Sequence, residues 1–114
     1  MNPMLAGNVL AAFCGLALVG SGAVKILGVR KAVDGLEAMG FAGRVRMIGI
    51  GETVSALLFV FPQTRPIGLL LVSAHMGGAI ATHMQHRLSY AAPAALLGLV
   101  WAAAWLSHPA PFTL

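Results

Sequence analysis

The chain has 114 residues, 59% of them hydrophobic and 9% charged, with a mean hydropathy of +0.88. That is enough for one domain, and too little polar surface for a soluble one. Seven Lys and Arg against three Asp and Glu give a net charge of +4, but these cations sit between apolar runs and form no basic face, which excludes nucleic acid as the partner behind the charge.

The first predicted helix covers Leu5 to Val24, twenty residues without a charge, a length that crosses a bilayer. A cleaved signal peptide is the competing reading. Met1 to Met4 carry no Lys or Arg, as a secretory leader would, so a retained span is expected. Helical spacing puts Gly7, Ala11, Cys14, Leu18, Ser21, Gly22 and Lys25 on one face. This stripe of small residues suits helix contact, and Lys25 at its end is expected to turn its stem into the bundle. Cys14 is the one cysteine; a dithiol relay within the chain needs two, so packing is its expected role. The stretch Gly20 to Lys25 lacks the third glycine of a phosphate loop and lies inside a span, where glycines serve close packing.

The connection Gly28 to Arg46 reads as a short amphipathic helix on the membrane interface. Val33, Leu36 and Met39 or Phe41 make its apolar side, and Arg30, Lys31, Asp34 and Glu37 its polar side. Gly40 and Gly43 then turn the chain back. A second span is expected over Met47 to Phe61, with Arg44 and Arg46 snorkelling to the headgroups. Gly49, Glu52, Ser55, Ala56 and Phe59 share its inward face.

Pro62 and Pro66 bracket a tight turn that makes the second and third spans antiparallel neighbours. The third span, Pro66 to His86, carries His75, Ala79, Thr82, His83 and His86 on one arc. The fourth covers Leu88 to Leu106, with Pro93 in its first turn and Trp101 and Trp105 as anchors near its outer end. His108 is expected in an exposed tail. The expected architecture is all-α: an integral membrane four-helix bundle with a short interfacial helix between helices one and two. It forms a single domain over residues 1–114, with spans at about 5–27, 45–61, 66–86 and 90–107. Lys25, Arg30, Lys31, Arg44, Arg46 and Arg87 fall in the first and third connections and only Arg65 in the second. Positive charge inside then places both termini outside a bacterial-type inner membrane.

The intramembrane acid is the candidate for chemistry. A lone carboxylate costs on the order of 2.5–3.5 kcal/mol at membrane depth, so Glu52 needs a partner or a proton. Counting up from Arg87 puts His83 level with Glu52 and His75 about 12 Å deeper at ~1.5 Å per residue, so Lys25, Glu52 and His83 are expected to form one polar layer. A structural ion pair between helices one and two remains an equal alternative. His83 and His86 are three apart, but no second acid or thiol cluster completes a ligand set, so no metal site is expected and haem fits less well than quinone. Proton exchange through Glu52 with His83, or His75, for a quinone-like or other lipophilic substrate suits these residue types better.

With Gly22-Ala-Val-Lys25-Ile-Leu closing helix one, Met39-Gly40-Phe41, Gly51-Glu52 with the run to Phe61-Pro62, and Gly78-Ala79-Ile-Ala-Thr-His83, the chain resembles the DoxX-like family of small four-helix membrane proteins. The resemblance implies a membrane bundle tied to redox physiology, some of whose relatives are companions of membrane oxidoreductases that pass electrons to quinone. It matches Lys25, Glu52 and His83 to the family's recurring polar positions. The expected function is therefore a quinone-linked or redox-associated membrane subunit, with membrane oxidoreductase subunits and a homo-oligomer as possible partners beside the lipid bilayer. A self-sufficient acid–base enzyme (isomerase or hydrolase) acting on a lipophilic small molecule, and a non-catalytic assembly factor, are the alternatives. Substrate, cofactor and oligomeric state are not legible in the residues.

Overall fold

A computed structural model describes residues 2–107; His108 lies outside them. Five helices follow one another: α1 Pro3–Ile26, α2 Arg30–Ala38, α3 Val45–Val60, α4 Arg65–Gln85 and α5 Ala91–Ser107. Each boundary has a local cause. The Asn2 side chain accepts from the Leu5 amide at 2.7 Å, and Pro3 opens α1 without needing a donor. Gly28 stops α1 at φ +74°, and Gly40 and Gly43 take φ +94° and +79° to reverse the chain into α3. Thr64 Oγ1 donates to the Leu58 carbonyl at 2.6 Å, tying off α3 just before Arg65 and Pro66 start α4.

The expected bundle of four spanning helices is corrected here. There are five helices among the described residues, and two of them, α1 and α4, are long and apolar enough to cross a membrane. α3 has 16 residues and α5 has 17. At ~1.5 Å per residue these reach about 24–26 Å, short of a hydrocarbon core of ~30 Å. The last uncharged run overstates its helix: the run from Leu88 includes Ser89 and Tyr90, which precede α5 in the turn that Arg87 makes at φ 58°. The amphipathic stretch does form α2, which contributes no buried residue and packs lightly against α1 and α3.

α1 packs against α3 and α5, and α4 packs against the same two, so the long helices close a ring with α1 and α4 on opposite corners. Ala11, Cys14, Leu18, Ala56, Phe59, Val72, Met76, Val100, Ala103 and Ala104 make its core. Small side chains let the backbones meet. A Cβ on Gly49 would lie 2.7 Å from the Gly22 carbonyl, and one on Gly68 would lie 2.5 Å from Phe59 Cα. Phe13, Leu16, Ile67, Leu70 and Trp105 stay exposed on the outside, the pattern of helices solvated by lipid.

One end of this ring is sealed by a residue that the sequence presents as a loop charge. Arg65, 2% exposed, donates from Nε to the Phe59 carbonyl (2.8 Å) and from Nη2 to the Val60 carbonyl (2.6 Å). Its Nη1 donates to Asn8 Oδ1 (2.7 Å) and to Ser107 Oγ (2.9 Å). The guanidinium thus caps the carbonyl end of α3, where the helix dipole favours a cation, and ties it to α1 and α5. The start of α1 and the end of α5 lie at this end; α2 lies at the other.

Candidate functional site

At the α2 end the ring does not close. A cavity of about 590 Å³ opens there, walled by Ser21 and Lys25 of α1, Ile48 and Glu52 of α3, His75, Gly78 and His83 among others of α4, and Pro93 and Leu96 of α5. Lys31, Leu36 and Met39 of α2, with Phe41, line it from below. Its volume falls in the range of small-molecule sites, and its wall is mostly apolar with a few polar groups converging at one place.

That place is Glu52. The carboxylate is 3% exposed and both oxygens are engaged. Oε1 accepts from Lys25 Nζ at 2.6 Å and from Ser21 Oγ at 3.1 Å, while Lys25 Nζ also donates to Ser21 Oγ at 2.8 Å. Oε2 faces His75 Nε2 at 3.1 Å. The stripe on α1 explains the first contact: Gly22 lets α3 approach so closely that Lys25, one turn on, reaches Glu52 without leaving the bundle. A paired charge with satisfied hydrogen bonds is the form in which a carboxylate tolerates burial.

Lys25, Glu52 and His75 therefore come together, and His83 does not join them. His83 lines the same cavity but its Nδ1 is 2.6 Å from the Ala79 carbonyl, one turn back on its own helix. The reason is register. Helices joined by a tight turn are aligned from that turn: Glu52 lies eight residues before the end of α3, and His75 ten after the start of α4. α4 has 21 residues against 16 in α3, so its last turn, with His83, overshoots α3 toward α2. Arg87 is the wrong origin for the count. His86 is exposed, with Nδ1 3.0 Å from the Thr82 carbonyl. Among the described residues no three His, Cys, Asp or Glu side chains are grouped to hold a metal ion.

A family model described as the DoxX-like family matches residues 9–107, which takes in all the residues of this site. The chain belongs to the DoxX-like family. No curated protein and no solved structure matches it. It is thus a DoxX-like membrane protein with a buried, salt-bridged polar core formed by Lys25, Glu52 and His75. Ser21 and Arg65 are the polar residues that sequence reasoning passed over. Ser21 was visible on the inward face of α1, four residues from Lys25, but a serine there also reads as a small packing residue. Arg65 carried a signal in its position directly after the carbonyl end of α3, where a cation is favoured.

Proposed function

We propose that this DoxX-like protein is a quinone-linked, redox-associated membrane subunit that holds a lipophilic molecule with a polar head in the cavity beside Glu52. The observation that carries this reading is the Lys25–Glu52–His75 cluster on the wall of an otherwise apolar cavity of about 590 Å³. The apolar wall takes the ring and tail of such a molecule, and the cluster meets its oxygens and exchanges their protons. The single cysteine leaves no dithiol for electron transfer within the chain. Electrons would come from a partner subunit, an oxidoreductase of the same membrane or a second copy.

The α2 end carries Arg30, Lys31, Arg44, Arg46 and Arg87, whereas at the other end Arg65 is buried and spent on hydrogen bonds. The charge bias favours the α2 end facing the cytoplasm of an inner membrane and both chain ends facing out. The test is purification in mild detergent, with an absorption spectrum taken before and after reductant and mass spectrometry of what co-purifies. A bound quinone or quinol whose retention Glu52→Gln alters while the protein still assembles supports the reading. A colourless protein with no quinone moves the weight to a second reading that the Glu52–His75 contact favours: an acid–base enzyme acting on a lipophilic small molecule. That enzyme would show a bell-shaped pH–rate profile abolished by changing either residue.

A further inference from the structure

The polar atoms of the cavity differ in kind, and the difference selects between ligands. Glu52 is held as a carboxylate by Lys25, which already balances its charge at 2.6 Å. The neutral imidazole of His75 has one proton to place. A carboxylate oxygen only accepts, so Nε2 of His75 carries the ring's one proton and donates it to Glu52 Oε2. Nδ1 is then a bare lone pair. His75 lines the cavity with 23% of its side chain exposed, and among the described residues no hydrogen bond engages that nitrogen.

His83 follows the same logic one layer nearer α2. Its Nδ1 sits 2.6 Å from the Ala79 carbonyl, which also only accepts, so its proton is on Nδ1 and the lone pair on Nε2. Thr82 spends its hydroxyl proton on the Gly78 carbonyl at 2.8 Å. Ser21 gives its proton to Glu52, and Lys25 directs its ammonium at Ser21 and Glu52. The α4 wall thus directs these protons at its own carbonyls and at Glu52 and keeps ring acceptors, while the ammonium donors that line the cavity, Lys25 and Lys31, belong to α1 and α2.

We infer that the cavity selects a ligand whose head group donates a hydrogen bond, a phenol-like hydroxyl, with His75 Nδ1 as the acceptor that reads it. This rests on the quinone-linked reading and sharpens it: the site favours the reduced, hydroxyl-bearing quinol over the quinone, whose carbonyls can only accept. Glu52 acts as a positioning residue, because it sets which nitrogen of His75 keeps the proton. Replacing it with Gln inverts the site. The amide oxygen stays with the two donors Lys25 and Ser21, the amide NH₂ faces His75, and Nε2 must accept. The ring proton moves to Nδ1, which becomes a donor and prefers a carbonyl.

The experiment measures binding of three probes to the detergent-purified protein under anaerobic conditions: a decyl-substituted 1,4-benzoquinone, its quinol, and the quinol dimethyl ether. For the natural sequence the quinol should bind about tenfold tighter than the other two, the worth of one hydrogen bond in a dry site. Glu52→Gln should reverse the order of quinol and quinone, an outcome that a merely structural Glu52 would not give. His75→Phe, which keeps a flat ring, should bind the quinol and its dimethyl ether equally and decides the matter if the Gln variant does not assemble. Quinone bound as tightly as quinol by the natural sequence overturns the inference and leaves the quinone-linked reading standing. Binding of none of the three removes both.

Discussion

The two ends of the helix ring each hold one inward-turned cation, Arg65 buried and Lys25 half-buried, and use it differently. At one end Arg65 meets only neutral acceptors, two backbone carbonyls, an amide oxygen and a hydroxyl, and every contact joins one helix to another. The space around it is filled. At the other end Lys25 meets a carboxylate, and the Glu52 oxygen not taken by Lys25 and Ser21 faces a histidine on the wall of a cavity. Arginine's planar fork suits the first task and lysine's compact charge the second. The comparison separates a closed end that holds the helices from an open end that has room for a ligand, although both read in sequence as a charge near a helix terminus.

The sharpest way to break this comparison is Arg65→Ala. Four acceptors lose their donor, and at about 1 kcal/mol for each lost bond the cost is on the order of 4 kcal/mol. Thermal unfolding in detergent would register it as the largest loss of any single change named here. If the variant were as stable as the parent, the seal would be ornamental and the two ends alike. At the open end Lys25→Met leaves Glu52 buried without a cation, with an expected cost of roughly 3 kcal/mol, the low end for a pair whose cation is half-buried. The double change Lys25→Met with Glu52→Gln removes both charges and should recover most of that stability while the preference for quinol is lost. A double variant that is stable and still prefers quinol would make the pair a structural pin and nothing more.

Much of this was legible from spacing. The small-residue face of α1 and the Gly49, Glu52, Ser55, Ala56, Phe59 face of α3 are buried as helical periodicity requires, because in both helices the inward stripe is narrow and chemically distinct. The pairing of Glu52 with Lys25 was legible, but its histidine partner was not legible from charge positions. Arg87 marks where the charge lies and not where α3 ends, so a depth counted from it is off by the length α4 has in excess. The turn between Pro62 and Pro66 carried the right register. Arg65 was hidden for a similar reason: a charge beside a turn signals the membrane surface, unless a helix end supplies carbonyls to receive it. The number of spanning helices was overread too: the helix bounds were close, but two of the helices, α3 and α5, are shorter than a span needs.

Two glycines on α4 sharpen the comparison at the scale of a methyl group. Gly68, near the closed end, is pressed on Phe59: a Cβ there would lie 2.5 Å from Phe59 Cα and closer still to its amide nitrogen. Backbone cannot give way as a side-chain tip can, so Gly68→Ala should force α3 and α4 apart at a cost of about 2 kcal/mol. Its measure is the same thermal unfolding.

Gly78, ten residues on along the same helix, lines the cavity, and a Cβ there meets nothing within 4 Å. Gly78→Ala should therefore cost nothing in packing and gain helix propensity, roughly 0.5–1 kcal/mol in favour of the folded protein. The gain has a functional counterpart. The added methyl stands on the cavity wall, three residues from His75, so a ligand held there should bind more weakly even though the protein is more stable. Opposite signs in the two measurements, with stability up and affinity down, are what an open site on a rigid frame demands. If Gly78→Ala destabilised the protein as much as Gly68→Ala, the wall at this end would be packed like the other, and the room attributed to a ligand would not exist.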